Sequence, residues 1–201
     1  MLILKYAMGE ELMKRIFIGL VFILLNLNID IGSIRIGFIP DFLGYIMIYK
    51  GLGELEDKSE NFNNAKRFCI PLAIYSGIIY VINILGINFA EDSFDDNGYI
   101  IFIIFELTAS ILSLYILYGI IKGINDLENC YIYNFNYEKL MLIWKFVAAA
   151  TAATYIFIFI PSLVGFGISA NLVLTIVLLY QFNITRIRYY NYLAGQQEVN
   201  Q

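Results

Sequence analysis

Apolar residues fall in six successive runs, at about 16–33, 37–53, 68–89, 99–121, 141–160 and 164–184, parted by short polar or glycine-containing breaks. Each run is close to the roughly 20 residues that a helix needs to cross a bilayer core. The pattern predicts an all-α fold, a polytopic membrane helical bundle with six transmembrane helices. It divides the chain into a cytoplasmic tail at 1–15, a single six-helix membrane domain at 16–184 and a cytoplasmic C-terminal tail at 185–201. The first two runs are the shortest and meet at Asp30-Ile31-Gly32-Ser33-Ile34-Arg35, where a re-entrant pair is the alternative to two crossings. Met13-Lys14-Arg15 followed by Ile16 to Leu25 imitates a signal peptide. No small-residue cleavage site follows, so this run reads as an uncleaved first span.

Composition supports the same class. At 60% hydrophobic and 15% charged, with a mean hydropathy of +0.70, the chain is too apolar for a water-soluble domain. Orientation follows from where lysine and arginine sit, because basic loops are retained in the cytoplasm. With the N-terminus inside, twelve of the thirteen basic residues fall on the cytoplasmic side and only Arg35 lies outside. The loop Glu91-Asp92-Ser93-Phe94-Asp95-Asp96-Asn97-Gly98 then faces outward with four acids and no base. Both ends are therefore placed inside, N-in/C-in. Cys69 and Cys130 fall on the reducing side, which argues against a structural disulfide. Without histidine there is no set of zinc ligands and no imidazole acid or base, so no metal or cofactor is implied. No basic surface suited to nucleic acid is present.

A parallel repeat is visible in the cytoplasmic loops. Lys50-Gly51-Leu52-Gly53-Glu54-Leu55-Glu56 lies over Lys122-Gly123-Ile124-Asn125-Asp126-Leu127-Glu128, Asn61-Phe62-Asn63 over Asn134-Phe135-Asn136, and Lys66 over Lys139. Read as a duplication, it makes spans 2–3 and 4–5 equivalent hairpins. Read as shared interface chemistry, it reflects a lysine in the last helical turn and a glycine in the left-handed cap. Leu52, Leu55, Phe62 and Ala65 are then expected on the membrane surface.

Ile39-Pro40-Asp41-Phe42-Leu43-Gly44-Tyr45, followed by Lys50-Gly51-Leu52, resembles small multi-pass membrane proteins of unknown function from low-GC Gram-positive bacteria. The resemblance covers the first two spans and the next loop and carries no activity. In size and topology the chain is also similar to substrate-binding subunits of bacterial vitamin uptake transporters. It departs from them in the first span, where Phe17-Ile18-Gly19-Leu20-Val21-Phe22 replaces alanines at four-residue spacing.

Ionisable residues inside a span are costly and mark functional candidates. Glu106 is the clearest, about 10 Å into span four at ~1.5 Å per residue from Tyr99. Pro40-Asp41 opens span two, where the aspartate is expected to cap free amides. Asp30, Arg35, Asp41 and Glu106 all approach the outer leaflet, and Asn171 adds an amide at depth. Together they form a candidate cation or solute site. Gly167-Ile168-Ser169-Ala170-Asn171 resembles a nucleophile loop, but nothing beside it activates the serine, so no enzyme is expected. Two readings follow. One is a small-solute transport or binding component with a polar site toward the outer leaflet. The other is a structural or regulatory protein acting through a membrane-protein partner.

Overall fold

The computed structural model describes residues 2–25, 28–31, 34–37, 40–85, 96–157 and 159–198, with side chains at 12–25, 40–85, 103–157, 159–160 and 162–196. Among the described residues there are six α-helices: α1 (Leu2–Leu25), α2 (Asp41–Gly53), α3 (Glu60–Ile84), α4 (Asp96–Tyr131), α5 (Tyr137–Phe157) and α6 (Pro161–Glu198). Between α1 and α2 run two antiparallel strands, β1 (Asn28–Ile31) and β2 (Ile34–Gly37), with Asp30 in register with Arg35. Four helices carry stretches long and apolar enough to cross a membrane: Glu60–Ile84, Ile103–Tyr131, Tyr137–Phe157 and Ser162–Gln196.

The first two predicted spans are built differently from the others. α2 has 13 residues, about 20 Å of helix, and its run begins at Gly37, the last residue of strand β2. α1 stops at Leu25, and the remainder of its run enters β1. The physical cause is local: Ile29, Ile31, Ile34 and Ile36 alternate with Asn28, Asp30 and Arg35, and that period of two suits a strand.

Successive helices pack in chain order, and α6 closes against α1. At the α1–α2 crossing Gly19 and Gly44 face one another so closely that a Cβ on either would lie 2.7 Å from the other's carbonyl oxygen. The deepest packing gathers at the lysine-rich end, where Ile16, Ile48, Leu52, Phe62, Ile120, Ile124, Leu140 and Phe182 are fully buried. Leu55 and Ala65 belong to the same core, so the four residues assigned to a membrane surface are instead interior. Away from that end, Ile74, Ile78, Val81 and Leu85 form an exposed apolar stripe along α3.

The repeated glycines do not cap helices. Gly51 lies within α2 and Gly123 within α4, which runs on to Tyr131 without a break. Both serve close approach. A Cβ on Gly51 would meet Ile16 of α1 at 2.6 Å, and one on Gly123 would meet the Phe62 ring of α3 at 2.2 Å. Lys50 does occupy the last turn of α2, but Lys122 sits well before the end of α4.

The predicted tails are helical continuations of α1 and α6. Leu12, Met13 and Tyr189 are buried in the core. Tyr131, Tyr189 and Tyr192 cluster with Phe135, with ring centroids 5.0–6.3 Å apart.

Candidate polar site between four helices

Glu106 lies on α4 between the exposed apolar neighbours Phe105 and Leu107, and its own side chain turns toward α3. There Tyr75 donates its phenol to Glu106 Oε1 at 2.9 Å. From α5, the Tyr155 hydroxyl reaches the Glu106 backbone oxygen at 3.2 Å and lies 2.7 Å from Ser110 Oγ. A phenol has one proton. If Tyr155 donates to the carbonyl, Ser110 must donate to Tyr155. Ser110 and Ser113 follow Glu106 by four and seven residues, one face of α4, and Ser113 lies close enough to Tyr45 of α2 to interact with its phenol.

Asp41 stands one turn before Tyr45 on α2, within electrostatic range of both Tyr45 and Glu106. It is the first helical residue, and the N-cap position is taken by Pro40, which makes no side-chain capping bond. Among the described residues Asp41 makes no capping hydrogen bond to the helix amides, and its carboxylate stands at the positive end of the helix dipole. Asp41 follows Gly53 back along α2 by twelve residues, and Glu106 follows Gly119 back along α4 by thirteen, ~18 and ~20 Å of helix. Gly53 and Gly119 pack on Lys66 and Ala65, neighbours on α3, so the two carboxylates sit at matching depth. The described salt bridges, Arg15–Glu54 and Lys66–Glu56, lie at the opposite, basic end.

Of the other predicted site residues, Asn171 lies apart from this cluster. It donates to Thr151 Oγ1 at 3.1 Å and ties α6 to α5. Asp30 and Arg35 face each other in strand register, and their side chains lie outside the described residues, as do residues 91–95 of the acidic loop. Ser169 is helical and bonded to the Gly165 carbonyl, so the supposed nucleophile loop is a turn of α6. Tyr45, Tyr75, Ser110, Ser113 and Tyr155 were not singled out from the sequence. The Glu106, Ser110, Ser113 spacing was the signal available.

A second polar network joins the two repeat-related loops at the basic end. Ser59 caps α3 by accepting from the Asn61 amide at 3.1 Å, and it also bonds Asp126 of α4. Asn61 donates to the same Asp126 oxygen at 2.8 Å. In the second copy Glu128 accepts from the Tyr137 amide at 2.9 Å and caps α5. Lys66 bonds Glu56 at 2.5 Å, and this bond raises the lysine pKa above its ordinary value. Lys122 is likewise raised, chiefly by a hydrogen bond with Tyr137, over whose ring it lies at 5.7 Å.

Comparison with protein families, curated proteins and solved structures finds no match to this chain.

Proposed function

We propose that the protein is a multi-pass, non-enzymatic component of the bacterial cytoplasmic membrane, N-in/C-in, that binds or passes a small cation or polar solute at Asp41 and Glu106. The observation that carries this reading is that two carboxylates, Asp41 of α2 and Glu106 of α4, stand at matching depth within electrostatic range of each other, with phenols and hydroxyls of four helices in the same region. Carboxylates at membrane depth require a proton, a cation or a wet cavity.

Axial lengths support the membrane placement. From Arg67 to the end of α3 at Ile84 is seventeen residue steps, ~26 Å, and from Lys139 to the end of α5 at Phe157 eighteen, ~27 Å, both close to a bilayer core. In both helices the basic residue stands at the same end. α1 and α2 enter and return from that end, so the partition of charge is the same for six crossings and for four crossings with a re-entrant hairpin.

The hairpin supports a wet vestibule. α1 contributes only ten residues between Arg15 and its end at Leu25, ~15 Å, so β1 and β2 begin at mid-depth. Non-helical backbone at that depth is tolerated only against protein or water, and β2 does lie against α3. A pore or pocket beside the hairpin would open onto Asp41, at the start of the next helix.

The test is ligand-dependent thermal stability of the purified protein with chlorides of Na+, K+ and Mg2+. The wild type is expected to gain melting temperature with at least one cation, and Asp41→Asn/Glu106→Gln to lose that gain. A second reading, action through a membrane-protein partner, is favoured by the Asp126–Ser59–Asn61 network that joins the repeated loops. Under it, cations have no effect and changes at Asp126 abolish the biological phenotype while the carboxylate variants do not.

A further inference from the structure

A different feature lies where the bundle closes. α1 and α6 run antiparallel at this seam, and Phe17 stacks on Phe182 with ring centroids 6.4 Å apart. One turn toward the basic end on each helix stands a cation: Lys14, three residues before Phe17, and Arg186, four after Phe182. The Arg186 guanidinium lies over the Phe17 ring at 5.1 Å. Among the described residues neither cation has a carboxylate partner, in contrast to the adjacent Arg15, which pairs with Glu54 at 2.9 Å. Lys14 is exposed and Arg186 half-buried. Glu10 and Glu11 follow a further turn out, with side chains outside the described residues.

We propose that this seam is a binding site for an anionic phospholipid, the phosphodiester held between Lys14 and Arg186 and one acyl chain lying along the α1–α6 groove beside Phe17. The chemistry matches on three counts. Two cations of different helices, neither with a carboxylate partner among the described residues, flank the Phe17–Phe182 contact on its basic side, as in basic pockets between transmembrane helices on the cytoplasmic side. Cation–π attraction to the Phe17 ring holds the guanidinium at the seam without using its N–H groups, which can donate to phosphate oxygens. The level is that of headgroups, because Ile16, beside Phe17, packs on Gly51, the residue after the interfacial Lys50. Such a lipid would bridge the first and last helices, the one closure of the bundle that no short loop enforces. The site rests on the membrane placement above but not on the carboxylate cluster.

The test is native mass spectrometry of the purified chain in non-ionic detergent, titrated with phosphatidylglycerol or with phosphatidylcholine of the same acyl chains. The wild type is expected to retain phosphatidylglycerol preferentially. Lys14→Gln/Arg186→Gln should lower that retention about fivefold per charge removed. Lys50→Gln/Lys58→Gln, an equal charge change at exposed lysines elsewhere on the same end, should leave it unchanged. Lys14→Gln alone, at an exposed position, serves if the double variant does not fold. Equal retention of the two lipids, or an equal fall in the control, overturns the site. Asp41→Asn/Glu106→Gln should retain the lipid as the wild type does, so loss of cation binding and loss of lipid binding are read separately.

Discussion

At the residue scale, the carboxylate that stood out in the sequence is held by groups that did not. Glu106 was legible because a charge in an apolar run is rare. Tyr75 and Tyr155 were not, because sixteen tyrosines spread through the chain offer no contrast. Asp41 was legible as a helix start, yet its place within electrostatic range of Glu106 depends on the packing of α2 and α4 against α3, which spacing alone does not give. Asn171 shows the converse, a polar residue at depth whose partner is simply the next helix. Removing the phenol bond with Tyr75→Phe is expected to cost about 0.5–1.5 kcal/mol, the range for interhelical hydrogen bonds in membranes. Reversible unfolding in mixed micelles measures it. Lys66 provides a pH test. Its pKa is raised above 10.5 by Glu56, so its stabilising bond is fully present below about pH 10.5 and is lost as pH rises through the folded-state value. Melting temperature measured from pH 9 upward should fall less steeply in Lys66→Met than in the wild type.

At the scale of elements, four helices were readable from hydropathy and length, and between the pair before them the structure adds a strand hairpin that the sequence reading did not include. The runs at 16–33 and 37–53 are apolar enough for helix, but in their facing ends isoleucine alternates with polar residues about Gly32-Ser33, a hairpin signal that hydropathy averaging conceals. The glycines were misassigned for a related reason. A glycine after a lysine near a helix end fits a cap, and only the structure shows the neighbouring helix resting on it. This yields a graded prediction. Gly19→Ala places a methyl against backbone and should destabilise by about 1–3 kcal/mol through overpacking, with Gly123→Ala similar against the Phe62 ring. Gly165→Ala, with nothing within 4 Å of the new methyl, should be neutral or stabilise by up to about 1 kcal/mol through helix propensity. Unfolding of the three variants under one condition checks the order.

At the scale of the molecule, the account depends on one arrangement: the lysine-rich, deeply packed end faces the cytoplasm, and the carboxylate cluster lies beyond it toward the outside. The native cysteines make this testable, since Cys69 is buried and Cys130, beside the α4–α5 connection, is exposed. Ser59, at the first repeat loop, is unsuited to labelling because it is buried and capping α3, whereas Lys58 beside it is exposed. The most direct measurement is labelling with a membrane-impermeant maleimide in intact and in lysed cells. Wild-type Cys130, and Lys58→Cys in a Cys130→Ser background, should react only after lysis, while Ser93→Cys in that background reacts in intact cells. Labelling of Cys130 in intact cells, or protection of Ser93→Cys until lysis, would contradict the N-in/C-in arrangement and with it the outward-facing site.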